Sequence, residues 1–266
     1  MRNYKALLLA SDIRNYTIKY GERVAVRMNN NNSFVDRLKQ ISSGEINNIV
    51  MVAATPSNVE RNREYARLLQ ESMNLDGFNV ENVTVIDDSF VGDLDETILS
   101  ADMVYLSRGH APTQNLFYDH IGLKGILENY QGIILAQGSG MINCSDDIYF
   151  QPRNQLEMAI FRQEEDGTPR EMRGLGLIKF SVIPHLNTAN TRVISGCESA
   201  YAKSTVDSYI YPHCSLADGA FIELDGDSSA VTVYGHLRKF KNGKSWDICK
   251  DGQKLIISQN TDEKVL

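Results

Sequence analysis

The run Ala136-Gln137-Gly138-Ser139-Gly140-Met141 is where this sequence most clearly concentrates chemistry. It follows an apolar segment, Gly132 to Ala136, that reads as a buried strand. A sharp strand-turn-helix at such a place is the geometry of a nucleophile elbow, whose central residue is held on a strained backbone. Strand and helix crowd each other there, so the residues two before and two after the centre must be small. With Ser139 central, the flanks are Gln137 and Met141, both bulky. With Gly138 central, they are Ala136 and Gly140. The steric argument puts Gly138 at the tip, with no nucleophilic side chain. Ser139 falls one residue later, where its backbone N–H can serve an oxyanion hole. For Ser139 to act as a substitute nucleophile, the turn would have to rearrange and tolerate Met141 at the crowded position.

Other candidates carry weaker chemistry. His185 follows Pro184 after an apolar run and by itself reads as a hydrogen-bonded loop histidine. Asp218 sits in an Ala-Asp-Gly turn, where an aspartate can also orient an imidazole. His110 is either a ligand contact at the sheet's carboxyl edge or an exposed loop side chain. Arg108 and Arg192 are, on position alone, candidate cations for an acidic ligand group. His213-Cys214 suggests a dyad, but a strand-edge histidine beside a buried thiol is the simpler reading. Adjacent Asp146 and Asp147 are expected to point apart, and Glu164-Glu165-Asp166 reads as a solvated loop. The glycines around Ser139 lack the spacing or lysine of a phosphate cradle.

These residues need a scaffold. Lys5 to Ala10 and Asn48 to Ala54 are continuous apolar runs of the kind that form parallel strands covered on both faces. Phe34, Leu38 and Ile41 recur at helical spacing after a cap-like Asn32-Ser33. Asn58 to Leu75 is a long amphipathic helix stopped near Gly77. Val83 to Ile86 and Asp102 to Ser107 are further strands, and Leu116 to Asn129 a further helix. The β-α-β-α order predicts a doubly wound, mostly parallel α/β sheet. In the second half, Leu177 to Val182, Arg192 to Ser195, Ala220 to Leu224, Ala230 to Tyr234 and Lys254 to Ser258 read as short strands. The turns Asp225-Gly226 and Asn242-Gly243 are hairpin signals, so an antiparallel C-terminal extension is expected. No linker or repeat divides the chain, which predicts a single domain over residues 1–266.

With these elements in place, the segment Tyr130 to Met141 resembles the peptidase E family (aspartyl dipeptidases, with cyanophycinase as a relative), which carries Gly-x-Ser-Ala-Gly-Ala there. Three further stretches agree in order. Tyr105 to His110 resembles the family's strand followed by Gly-Gly-Asn. Leu175 to Ile178 followed by Pro184-His185 resembles its Leu-Gly-Leu and Pro-His segments. Leu216 to Ala220 resembles the segment bearing the acidic residue. The resemblance implies a flavodoxin-like fold related to class I glutamine amidotransferases, and a serine peptidase acting on or binding small peptides. It implies catalytic positions at Gly138, Ser139, His185 as base and Asp218 as acid. Arg108, Gly109, His110 and Gly140 become oxyanion or substrate-binding positions. The departures are specific: the family's serine is Gly138, its first elbow glycine is Ala136, its Gly-Gly-Asn is Arg108-Gly109-His110, and its glutamate is Asp218. A Ser-His-acid triad requires a hydroxyl within reach of the imidazole. Two classes follow: a hydrolase using Ser139 or a water activated by His185, and a catalytically silent homologue that binds a peptide-like ligand or partner. A glutaminase would need an elbow cysteine, and Cys144, six residues past Gly138, is misplaced for that.

Composition agrees with a soluble globular chain. Of 266 residues, 42% are hydrophobic and 23% charged, with a net charge of −7. An acidic balance argues against a basic nucleic-acid or membrane surface. No apolar run reaches the about 18–20 residues of a membrane span, and Ala6 to Ala10 is short for a signal-peptide core; the expected location is cytoplasmic. The cysteines Cys144, Cys197, Cys214 and Cys249 are widely spaced and expected to be reduced and mostly buried. No pattern asks for a metal or cofactor. Homo-oligomerisation is left open.

Overall fold

The structure, a computed structural model, describes residues 3–151, 172–193, 199–226 and 228–259. Its first half runs through β1 (Ala6–Ala10), a hairpin of β2 (Tyr16–Lys19) and β3 (Glu22–Ala25), α1 (Phe34–Ser42), β4 (Asn48–Val52), α2 (Val59–Leu75) and β5 (Asn82–Ile86). Next come α3 (Leu94–Leu99), β6 (Met103–Leu106), α4 (Ala111–His120), α5 (Leu123–Leu127), β7 (Ile133–Gln137) and α6 (Ser139–Asn143). The second half adds β8 (Val182–Ile183), α7 (Ala200–Asp207), β9 (His213–Leu216), β10 (Phe221–Leu224) and β11 (Ala230–Tyr234). β12 (Leu237–Lys241), β13 (Lys244–Cys249) and β14 (Lys254–Ser258) complete the described elements.

The large sheet has the order β14-β11-β10-β1-β7-β6-β4-β5. Its strands β1, β7, β6, β4 and β5 are mutually parallel, and β10, β11 and β14 extend it antiparallel. A second sheet, β13-β12-β9-β8, is built from the C-terminal half. The fold is thus α/β, flavodoxin-like and mostly parallel, with antiparallel strands toward the C-terminus.

Period-two alternation along each central strand divides its side chains between two cores. Leu7 and Leu9 of β1, Val50 and Val52 of β4, and Ile134 and Ala136 of β7 join one core with residues of α3 to α6. Leu8, Ile49, Met51, Ile133 and Leu135 join the other, with Phe34, Val35 and Leu38 of α1 and Ala66, Leu69 and Met73 of α2. Covering both faces in this way is what demands runs as uniformly apolar as Ala6–Ala10, all of it buried.

Several expectations need correction. The helix over Leu116 to Asn129 is two helices, α4 and α5, because Gly122 adopts a left-handed φ of 64° and breaks the turn between them. The α1 cap is not Asn32-Ser33: Ser33 is itself left-handed and makes no side-chain cap, and Asn30 Oδ1 accepts the Val35 N–H at 2.8 Å instead. Leu177 to Val182 is not a continuous strand; only Val182–Ile183 pairs as one, with an isolated bridge at Ile178. Arg192 and Val193 are not strand either, since Arg192 N donates to Thr188 O at 2.8 Å and continues a turn. Residues 194 and 195, Cys197 and the acidic cluster Glu164-Glu165-Asp166 lie outside the described residues. Asn242 and Gly243, with φ of 52° and 69°, make the two-residue turn joining β12 to β13. Cys144, Cys214 and Cys249 are all buried. Among the described residues no helix is long and apolar enough to cross a membrane.

Candidate functional site

The carboxyl ends of β6, β7 and β8 converge on one cavity of about 570 Å³. This is the edge at which open α/β sheets bind ligands. The segment after β6 contributes Arg108, Gly109 and His110, the turn after β7 contributes Gly138 and Ser139, and the segment after β8 contributes Pro184 and His185.

Gly138 stands at the tip of the β7–α6 turn with φ 57° and ψ −111°, a conformation that favours glycine. Its N–H donates to Ala10 O at 3.2 Å, which ties the tip to the end of β1. A Cβ on Gly138 would lie 3.1 Å from Arg108 Cβ. Gly140 is crowded far more severely: a Cβ there would lie 2.2 Å from the Leu106 carbonyl oxygen. Gly109 is pinned in the same way, with a would-be Cβ 2.5 Å from Ala54 Cβ. Ser139 is 5% exposed, and its hydroxyl donates to Ser107 O at 3.4 Å. Its side chain is therefore directed back to the end of β6 and makes no bond to His185. Among the described residues, neither the Gly109 nor the Ser139 N–H donates a hydrogen bond.

His185 and Asp218 come together although 33 residues separate them. His185 Nδ1 lies 2.8 Å from Asp218 Oδ1. Asp218 sits in the turn between β9 and β10, and its N–H donates to Asn187 Oδ1 at 2.5 Å. His185 adopts a left-handed backbone, φ 68° and ψ 39°, rare for a residue with a side chain. Ser11, at the carboxyl end of β1, holds both: its hydroxyl donates to Asp218 Oδ1 at 2.7 Å and accepts the His185 N–H at 2.9 Å. With Nδ1–H donating to the carboxylate, Nε2 is left as the basic nitrogen. Burial opposes ionisation of Asp218, but the hydrogen bonds from His185 and Ser11 outweigh it and hold the carboxyl below its ordinary value.

That direction has a measurable consequence. A carboxyl whose folded pKa is below its unfolded value of about 3.9 stabilises the fold fully at neutral pH. The contribution is lost as pH falls through the folded value. Asp218→Asn is expected to lower Tm at pH 7 and to flatten the acid limb of a Tm-against-pH curve below about pH 5. An unchanged acid limb would mean that Asp218 is not coupled to the imidazole.

Arg108 lies along one wall. Its Nη1 is 3.6 Å from Asp12 Oδ1, and its guanidinium stacks 4.7 Å from the Tyr16 ring centre. Asp12 Oδ1 also accepts from Gln137 Nε2 at 3.0 Å, and Gln137 Oε1 accepts the buried Tyr105 hydroxyl. His110 immediately precedes α4, and its Nδ1 pairs with Thr113 Oγ1 at 2.8 Å. Arg192 lines the cavity with Nη2 donating to Gln151 Oε1 at 2.5 Å. His213 and Cys214 belong to the interior, not the cavity: the His213 ring stacks 3.9 Å from Tyr149 and 5.1 Å from Phe240, and Cys214 is buried in the core. Asp147 pairs with Arg173 at 2.5 Å on the surface.

Sequence reasoning missed Ser11, Asp12, Tyr16 and Asn187. Ser11 and Asp12 directly follow β1, and the rule that ligands bind beyond the carboxyl ends of strands marks such positions. Tyr16 and Asn187 carried no comparable signal.

No protein-family model matches the sequence, and no curated protein matches it. Similarity appears among solved structures. The chain is similar to a peptidase from an acI-B1 Actinobacterium, with a TM-score of 0.59 and 16% identity over 95% of this chain and 96% of that one. It is similar to a candidate peptidase E protein from Listeria monocytogenes EGD-e, with a TM-score of 0.53 and 14% identity over 85% and 96% of the two chains. The chain therefore has the fold of these peptidases.

Proposed function

We propose that this is a peptidase E-like protein whose cavity binds small peptides or peptide-like ligands and makes no covalent attack through a serine. The observation that carries the reading is the turn after β7: Gly138 occupies the tip at φ 57° and ψ −111°, while the Ser139 hydroxyl bonds to Ser107 O. A triad without a hydroxyl facing its imidazole loses many orders of magnitude in rate. The Gly109 and Ser139 N–H groups are suited to hold a ligand carbonyl oxygen. A fluorophosphonate probe and a panel of dipeptides test the reading. Expected are binding by calorimetry, no labelling and no turnover. Labelling that disappears in Ser139→Ala would make Ser139 the nucleophile and overturn it.

A second reading, hydrolysis by a water that His185 activates, is favoured by the bond of His185 to Asp218 and the clamp of both by Ser11. It is distinguished by slow turnover without labelling that His185→Ala abolishes.

A further inference from the structure

We infer that Asn143, acting with Gln114, is the positioning residue that sets the Gly109 and Ser139 N–H groups toward one ligand oxygen. Neither side chain lines the cavity; both are fully buried behind it. The inference deepens the binding reading above and rests on the use it makes of those two N–H groups.

The two N–H groups belong to separate segments, and the sheet does not join them. β6 and β7 pair in parallel as far as Leu106 and Ala136. Beyond that pair one segment leads into α4 and the other into α6. Among the described residues no backbone–backbone hydrogen bond links residues 107–111 to Gly138 or Ser139. Two donors serve one oxygen only if their relative placing is fixed before the ligand arrives, so another tie is required.

A pair of side-chain amides provides it. Asn143 Nδ2 lies 3.1 Å from each of Ala111 O, Gln114 Oε1 and Ser139 O, and its two N–H bonds are shared among these three acceptors. Gln114 Nε2 donates to Ser107 O at 2.7 Å. The segment after β6 is thereby held two residues before Gly109 and two residues after it. The same amide that holds Ala111 holds Ser139. The Ser139 hydroxyl adds a longer bond to Ser107 O, at 3.4 Å. Close packing of Gly109 on Ala54 and of Gly140 on Leu106 also limits each segment, but it does not tie one to the other.

Packing alone would not select this arrangement. Asn143 Oδ1 is buried and has no hydrogen-bond partner among the described residues. Turning the amide over would set Oδ1 against three oxygens, so the NH2 end faces them. An unpaired buried acceptor costs stability, and an apolar side chain of the same shape avoids that cost. Asparagine at 143 therefore gives up stability for a donor that reaches both segments. The low local dielectric strengthens bonds among buried amides, and donors already held in place spare a ligand the cost of ordering them.

Asn143→Leu on the full chain removes the bridge and keeps the branched shape, and two readouts test it. In the free protein, the Gly109 and Ser139 signals in amide NMR spectra are expected to shift and broaden more than those of the sheet, as motion between the two segments is released. Gln114→Met, placed on α4, should reproduce the change at both residues, which a local effect of replacing residue 143 would not. Calorimetry then compares alanine isobutylamide, which has a single carbonyl, with the trans-alkene isostere of its amide bond. The unaltered protein is expected to bind the amide about tenfold tighter, as two hydrogen bonds of ordinary net strength imply. Asn143→Leu should bring the two close to parity by weakening the amide and leaving the alkene unchanged; a merely structural residue would weaken both together. Should Asn143→Leu fail to fold, Gln114→Met decides by the same readouts. Unaltered Gly109 and Ser139 signals, or an amide preference that survives the substitution, would overturn the inference and leave the binding reading standing. Equal binding of both probes by the unaltered protein would overturn it too. Binding of neither probe, with both signals altered as expected, would overturn the binding reading alone.

Discussion

Gly138→Ser is expected to give little hydrolysis alone and a clear gain when combined with Arg108→Gly. The tip backbone, φ 57° and ψ −111°, costs a residue with a side chain on the order of 1–3 kcal/mol. The new Cβ would stand 3.1 Å from Arg108 Cβ, inside the about 3.5–4.0 Å optimum for carbon contacts. Serine at 138 and arginine at 108 thus compete for the same space, and the single variant satisfies its packing by shifting the turn. Removing the Arg108 side chain clears that position. Residual misplacement of about 1 Å costs near 10²-fold, so the double variant is expected to hydrolyse at a rate well below a natural triad. It should still exceed the parent chain by on the order of 10²-fold, because the nucleophile is worth far more than the misplacement costs. The assay should use a chromogenic amide substrate. Fluorophosphonate labelling of the double variant, abolished by His185→Ala, would tie the gain to the imidazole. A folded double variant that neither labels nor hydrolyses would show that His185 does not reach the tip.

How much of this could be read from sequence follows from how local each cause is. β1, β4 and β7 were legible because burial on both faces demands unbroken apolar runs. α2 was legible because its apolar stripe is long and Asn58 caps it, accepting the Arg61 N–H. The hairpin β2–β3 was not legible: its strands are half-exposed to exposed and carry no strong alternation. The placing of Gly138 at the tip rested on neighbours two residues away, so it needed no knowledge of the rest of the chain. Its cause is visible in the crowding of Gly140 against Leu106. The pairing of His185 with Asp218 as base and acid was reached only through the family resemblance, since nothing near either residue in the chain announces the other. Ser11 is 174 residues from His185, and only the parallel sheet brings the end of β1 beside the loop after β8. The setting of Arg108 was likewise illegible, because only the fold brings Asp12 and Tyr16 against its guanidinium.

The crowding that assigns the tip can itself be measured. Gly140→Ala is expected to destabilise the chain by about 3–5 kcal/mol, in the range reserved for severe overpacking. Its Cβ would lie 2.2 Å from the Leu106 carbonyl oxygen and 2.8 Å from the Leu106 carbonyl carbon. Both are backbone atoms of β6, which is held between β4 and β7 and cannot retreat. The start of α6 must lift instead, carrying the Ser139 N–H out of the cavity wall. Gly138→Ala meets only the Arg108 side chain and its own positive φ, and should cost about 1–3 kcal/mol. At roughly 2–4 °C per kcal/mol for a chain of this size, Gly140→Ala should lower Tm by on the order of 10 °C, with Gly138→Ala clearly milder. Thermal melts of the two variants decide it. If Gly140→Ala melts like the unaltered protein, the helix does not press on β6, a small residue two places past the tip is not required, and the steric basis for a bare Gly138 tip is removed; Ser139 then returns as the candidate nucleophile.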